Sequence, residues 1–174
     1  MTFPEQASRI KMLVMDVDGV LTNGLLFFNP DGEELKAFDT QDGHGIKMWQ
    51  QHGGRTGIIT GRQNPLVEHR ARNLQIHHLL QGREDKGHAL EELSLQSGIA
   101  VTDMAYVGDD FPDLGAFRRC GLAIAVANAH ICVRERAHYV THHSGGHGAV
   151  REVCDLLLKA HGYWDTIIQR CWDA

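Results

Sequence analysis

The stretch Ile10 to Val17 (IKMLVMDV) is almost wholly apolar and then turns acidic, with Asp16 and Asp18 on either side of Val17 and Gly19 following. An apolar run without alternation reads as a strand covered on both faces, the condition of a central strand in a parallel sheet. Open sheets of that kind bind ligands at the carboxyl ends of their strands. Two carboxylates at such an end constrain the fold and the chemistry at once.

The rest of the chain repeats the design. Arg55 to Ile59 reads as a strand running into Thr60-Gly61-Arg62, His78 to Leu80 as a short one, and Met104 to Val107 as one ending in Gly108-Asp109-Asp110-Phe111-Pro112-Asp113, with Leu122 to Val126 after it. Helices are expected at Gly45 to Gln51, Pro65 to Asn73, Asp85 to Gln96 and Ala129 to Ala137; the third has Ala89, Leu90, Leu93 and Leu95 as its apolar side and Gly98 as its stop. This alternation predicts an α/β fold with a mostly parallel sheet and helices on both faces. Leu25 to Phe28 and Glu34 to Phe38 flank Asn29-Pro30-Asp31-Gly32, so a β-hairpin over about residues 24–38 is expected to project from the sheet edge. Ala149, Val150, Val153, Leu156 and Leu157 mark a last core helix. Trp164, Ile167, Ile168, Cys171 and Trp172 repeat its spacing in a tail over about residues 162–174, whose apolar stripe packs on its own core or on a neighbour.

At 174 residues, a single domain over residues 1–174 with one core is expected. Lys+Arg 17 against Asp+Glu 22 leave a formal net charge of -5, which excludes holding nucleic acid by counterion release. No apolar stretch approaches the ~20 residues that cross a bilayer, and Met1 to Arg9 lacks a basic region followed by an apolar one, so no membrane partner and a cytoplasmic location are expected. Cys120, Cys132, Cys154 and Cys171 form no C-x-x-C and read as reduced, mostly buried thiols. His138, His142, His143 and His147 have spacings that resemble metal-ligand spacing, but without an acidic or cysteine partner in sequence they read as exposed loop residues.

The predicted strand ends deliver Asp16 and Asp18, then Thr60, then Asp109, Asp110 and Asp113 to one edge, with Lys86 at the start of the intervening helix. A lone Asp at a strand end is usually a solvated loop charge, and Asp110 reads equally well as a helix cap. Several acids converging on one edge repel one another unless a cation holds them, and Mg2+ suits hard oxygen ligands and a substrate phosphate. A carboxylate so placed can attack phosphorus to give an aspartyl-phosphate, with Thr60 and Lys86 donating to the phosphoryl oxygens.

Asp16-Val17-Asp18-Gly19-Val20, Ile59-Thr60-Gly61-Arg62, Lys86 and Gly108-Asp109-Asp110-x-x-Asp113 resemble, in order, the four motifs of the haloacid-dehalogenase superfamily of phosphatases. The resemblance implies a Rossmann-like core with Asp16 as nucleophile and Asp18 as general acid and base. It implies Mg2+ held by Asp16, the backbone carbonyl of Asp18 and Asp109, and Asp113 orienting Lys86 or completing the surroundings of the metal. The intervals between Asp16, Thr60, Lys86 and Asp109 have room for the hairpin but not for a cap domain, so a neighbouring subunit is expected to close the site.

Over almost the whole chain, the hairpin, Phe38-Asp39-Thr40-Gln41-Asp42-Gly43-His44-Gly45, the run from Thr60 to Arg70, and Gly145-Gly146-His147-Gly148-Ala149-Val150-Arg151-Glu152 are similar to one capless family of that superfamily. These are the 3-deoxy-D-manno-octulosonate 8-phosphate phosphatases of lipopolysaccharide sugar synthesis. The resemblance implies a homotetramer assembled through the hairpin, a phosphorylated sugar-acid substrate, and a tail that reaches toward an adjacent site. It implies a substrate site in which a loop of Asp39, Thr40, Gln41, Asp42 and Gly43, with Lys47, Arg62 and Arg70, joins Asp18 and Lys86, partly across a subunit boundary. Gln41 stands where many members carry a basic residue, which leaves carboxylate recognition to Arg62, Arg70 and Lys47. Two alternatives stand beside this reading. One is a sister group acting on a nine-carbon keto-sugar acid 9-phosphate, in which the residue after Thr-Gly is typically acidic, unlike Arg62. The other is a non-catalytic oligomerisation module of the kind fused to sugar-nucleotide synthetases, against which both aspartates of D-x-D are intact.

Overall fold

The sheet is built around β1, Met12–Met15, four residues that are all buried. The computed structural model describes residues 3–173; Met1, Thr2 and Ala174, which fall at the ends of the expected domain, the leader reading and the tail, lie outside the described residues. β1 is flanked by β4 (Arg55–Ile59) and β6 (Met104–Gly108), and the parallel order is completed by β5 (His78–Leu80) beyond β4 and by β7 (Leu122–Ala125) and β8 (Tyr139–Val140) beyond β6. Met15 lies opposite both Ile58 and Val107, so the three central strands end nearly level. That register sets Asp16, Thr60 and Asp109 side by side.

Helices cover both faces of the sheet. α2 (Thr40–Gln51) packs along α7 (Ala149–Ala160), against which α1 (Phe3–Ala7) also rests, while α4 (Lys86–Ser97) packs against α5 (Leu114–Phe117). α3 (Pro65–Leu74), the single turn α6 (Ile131–Arg134) and α8 (Trp164–Trp172) complete the set. No helix among the described residues is long and apolar enough to cross a membrane.

Several boundaries differ from expectation, each for a local reason. The first strand is shorter than Ile10 to Val17 because the chain turns into the site at Asp16. α2 begins at Thr40, not Gly45: Asp39 caps it by accepting from the backbone N–H of Gln41 and Asp42, and packing on α7 outweighs the roughly 1 kcal/mol that each of Gly43 and Gly45 costs a helix. Leu95, expected on the apolar side of α4, is 86% exposed, and Leu158 replaces Leu156 on the buried side of α7. The helix expected over Ala129 to Ala137 is confined to α6, and β8, too short to show a period, was not legible. Cys120 and Cys154 are buried, whereas Cys132 is half-buried and Cys171 exposed; all four are free.

The hairpin forms a separate antiparallel pair, β2 (Phe27–Phe28) and β3 (Glu34–Leu35), shorter than expected. Its turn is tied by the Asn29 side-chain carbonyl, which accepts from the N–H of Asp31 and Glu33. Leu25, Leu26, Phe27, Phe28 and Leu35 are all exposed. In the tail, Ile167 is buried on the chain's own core and Lys159 lies over the Trp164 ring, while Ile168 and Trp172 face solvent.

Candidate active site

Lys86 is the hinge of the site. It occupies the first turn of α4, where the helix dipole disfavours a cation, so its place answers to its partners and not to the helix. The buried ammonium sits 2.7 Å from an oxygen of Asp16 and 2.7 Å from Asp113 Oδ1. Asp113 is fully committed: Oδ1 also accepts from the Tyr106 hydroxyl at 2.9 Å, and Oδ2 accepts from the N–H of Asp109 at 2.8 Å and of Asp110 at 3.1 Å. Its carboxylate thus orients Lys86 and shapes the loop. Asp110 caps the turn that follows, accepting from the Phe111 N–H.

Asp16 and Asp109 are of another kind. One ligand atom from each of Asp16, Asp109 and Asp113 falls within 4.8 Å of the others, and no donor among the described residues reaches the Asp109 carboxylate. Burial, then the Asp113 charge, push Asp16 up to about 7 against the pull of Lys86. Burial, then the charges of Asp16 and Asp113, push Asp109 up to about 8. Gly19, at φ +89°, permits this crowding, since a Cβ there would lie 2.1 Å from Asp109 Oδ2. Two carboxylates that oppose each other's ionisation, with hard oxygens facing one space, fit a divalent cation.

Asp18 belongs to a different network. Lys36, just after β3 and almost wholly buried, donates to Asp18 Oδ1 and lies 2.9 Å from Glu34. Arg62 binds Glu34 through both fork nitrogens, at 3.0 and 2.7 Å, and comes within 3.8 Å of Asp18. Asn64 caps α3 through its carbonyl and donates its amide to Glu34 at 3.0 Å. Burial alone would raise the Glu34 carboxyl, but the bonds and charges of Lys36 and Arg62 bring it below its usual range.

A cleft of about 390 Å³ opens between the two networks, bounded by Asp16, Asp18, Thr60, Gly61, Arg62, Glu84, Lys86, Asp109, Asp110, Pro112 and Asp113. The other expected substrate residues are not in it. Asp39 caps α2, and Lys47 is exposed along the same helix. Arg70 donates to the Asp39 carbonyl at 3.0 Å, lies over the Phe38 ring and crowds Gly43. Asp42 is buried, accepts from the Arg151 N–H at the start of α7 at 2.7 Å, and is pushed by burial up to about 6. Thr40 and Gln41 are exposed, and Gln41 borders a second cleft with His143, Arg151 and Lys159. Glu84, Glu34 and Lys36 belong to no sequence motif; the one signal is that Glu34, in β3, and Lys36, just after it, stand two residues apart and so share a side of an extended chain.

The Gly145 to Glu152 segment backs the D-x-D loop. A Cβ on Gly145 would stand 1.7 Å from the Gly19 carbonyl oxygen, and the Gly146 N–H bonds to the Val20 carbonyl. Glu152 ties this segment down by accepting from the Tyr139 hydroxyl and from the backbone and ring nitrogens of His142 and His143. The exposed histidines therefore do have an acidic partner, one that sequence distance hid. His138 and His147 are exposed and do not join it.

Residues 78–153 match the haloacid dehalogenase-like hydrolase family. The chain is 49% identical to the 3-deoxy-D-manno-octulosonate 8-phosphate phosphatase of Salmonella typhi, over 92% of this chain and 85% of that one. It superposes with a TM-score of 0.93 on the crystal structure of the Moraxella catarrhalis enzyme of that name in complex with magnesium, phosphate and a KDO molecule, at 44% identity over 96% of each chain. The cobalt-bound Haemophilus influenzae deoxy-D-mannose-octulosonate 8-phosphate phosphatase is similar at a TM-score of 0.89 and 38% identity, over 92% of this chain and 94% of that one.

Proposed function

The chain belongs to the 3-deoxy-D-manno-octulosonate 8-phosphate phosphatase family of haloacid dehalogenase-like hydrolases, and from that premise we propose that it hydrolyses this sugar-acid phosphate to the free sugar acid and inorganic phosphate. The observation that carries the reading is the pairing of Lys86 between Asp16 and Asp113, with the donorless Asp109 carboxylate opposite.

The Asp16 oxygen not held by Lys86 attacks phosphorus, and the bond from phosphorus to the sugar oxygen breaks as Asp18 gives that oxygen a proton. Asp18 then takes a proton from water, which attacks phosphorus and releases phosphate and the Asp16 carboxylate. Thr60 and Lys86 donate to the phosphoryl oxygens as charge moves through both steps. Mg2+, held by Asp16, the backbone carbonyl of Asp18 and Asp109, supplies charge neutralisation at the phosphate when bound.

The exposed apolar hairpin supports assembly into a homotetramer, in which a neighbour would bring Arg70, Lys47 and the Asp39 to Gly43 turn to the cleft. Arg62, where the nine-carbon group is typically acidic, supports the eight-carbon substrate. The place of this sugar in lipopolysaccharide synthesis supports a cytoplasmic role. The test is a panel of specificity constants for eight- and nine-carbon sugar-acid phosphates and ordinary sugar phosphates, with Mg2+ and after chelation. The eight-carbon acid should lead and chelation should abolish turnover reversibly; a flat panel, or turnover that survives chelation, contradicts the proposal.

A further inference from the structure

The four charges around Asp18 close into a ring of alternating sign: Asp18 to Lys36, Lys36 to Glu34, Glu34 to Arg62, and Arg62 back to Asp18. Two of its members, Glu34 and Lys36, come from the hairpin and its exit, and two from the loops after β1 and β4. Among the described residues Lys36 is the one hydrogen-bond donor to the Asp18 carboxylate, since Arg62 stands at 3.8 Å, beyond hydrogen-bond reach. The Lys36 side chain is 2% exposed, far from the usual state of a lysine, and its ammonium is satisfied by two carboxylates. Burying a charge in this way is costly unless it is paired. A lysine whose task was to pin the hairpin would be served by Glu34 and water at the surface.

We propose that Lys36, anchored by Glu34, is a positioning residue: it fixes the Asp18 carboxylate in the rotamer from which a proton reaches the departing sugar oxygen. The inference rests on the phosphatase reading and adds a residue to it. Without Lys36 the Asp18 side chain is free to turn about its χ1 and χ2 bonds, and proton delivery loses its geometry while Asp16, Lys86 and the metal ligands keep theirs. The effect falls on leaving groups that need a proton. A sugar alkoxide needs one, whereas p-nitrophenolate leaves with little help. The ring also ties this side chain to the hairpin, the element whose exposed apolar residues face outward.

The experiment compares kcat/KM for 3-deoxy-D-manno-octulosonate 8-phosphate and for p-nitrophenyl phosphate in the wild type, Lys36→Met, Lys36→Arg and Lys36→Gln, each checked for fold by circular dichroism and for mass by light scattering. Lys36→Met should lose about 10- to 100-fold on the sugar phosphate and less than about threefold on the aryl phosphate, as a positioned acid contributes 10²–10⁴-fold in all. Lys36→Arg should regain part of the sugar-phosphate loss. Equal losses on both substrates, or none on either, overturn the proposal. If Lys36→Met fails to fold, Lys36→Gln decides by the same split, because it keeps a polar side chain there, removes the cation and leaves the Glu34–Arg62 pair in place. A wild type that turns over neither substrate overturns the phosphatase reading and this inference with it; an active wild type without the split overturns this inference alone.

Discussion

Asp109→Asn should make the metal-free protein more stable, and increasingly so as pH rises. The Asp109 carboxylate is half-buried beside Asp16 and Asp113, meets no donor among the described residues, and is pushed up to about 8 from the usual 3.8. A folded-state value above the unfolded one means that the native state holds a proton the unfolded chain has released. The stability contribution of this group is therefore complete below about pH 4 and is lost as pH climbs toward 8. Four pH units correspond to a ceiling of roughly 5–6 kcal/mol. Asp16 shares the repulsion, and part of the carboxylate is solvated, so we expect about 2–4 kcal/mol at pH 8 and almost none near pH 4. For a chain of this size that is roughly 5–15 °C in Tm. Differential scanning calorimetry of both proteins at several pH values, in chelator and in Mg2+, reads it out. Mg2+ should narrow or reverse that gap: at a hundred times its Kd it stabilises the wild type by about 2.7 kcal/mol and the variant far less. A variant destabilised equally at all pH values, or stabilised by Mg2+ as much as the wild type, would refute the electrostatic account.

Lys86→Met removes the cation that bridges Asp16 and Asp113 and should cost about 3–5 kcal/mol in a denaturant titration, with turnover falling by at least about 10²-fold. Glu152→Gln tests the loop behind the D-x-D turn. Burial alone would raise Glu152, but its bonds from Tyr139, His142 and His143 hold it at about 2, below the usual 4.5. Its stabilisation is thus complete above about pH 4.5 and lost as pH falls toward 2, so the variant should be less stable by about 1–2 kcal/mol at pH 7 in a denaturant titration, a gap that closes in acid. Phe27→Glu with Phe28→Glu places charges on the exposed hairpin, and light scattering should then drop from about four times 19.4 kDa to one. An unchanged mass would remove the hairpin from the assembly.

What repeats locally is legible in the sequence. The apolar run into Asp16, the strands at Arg55 and Met104 and the stop at Gly98 each announce themselves over a few residues, and the level register of β1, β4 and β6 does the gathering. What escaped depends on partners distant in sequence. Asp42 reads as a loop acid until α7 places the Arg151 N–H on it. Arg62 reads as a free fork until β3 sets Glu34 against it, and Lys36 reads as a surface lysine until the hairpin folds back on Asp18. The start of α2 was obscured by Gly43 and Gly45, whose poor propensity is overridden by the Asp39 cap and by packing on α7. The clustering of Asp39, Gln41, Lys47 and Arg70 outside the cleft shows why their roles could be inferred only from likeness: within one chain their geometry serves α2 and α3.

Asp16 should become phosphorylated during turnover. Acid quenching the enzyme while it turns over substrate, followed by borohydride reduction, converts an aspartyl-phosphate to homoserine, and tandem mass spectrometry of the tryptic peptides 12–36 and 87–118 distinguishes Asp16 from Asp18 and from Asp109. Homoserine at position 16, dependent on substrate and Mg2+ and absent from Asp16→Asn, is the predicted result. Homoserine at position 18 or 109, or none in an enzyme caught mid-turnover, would contradict it.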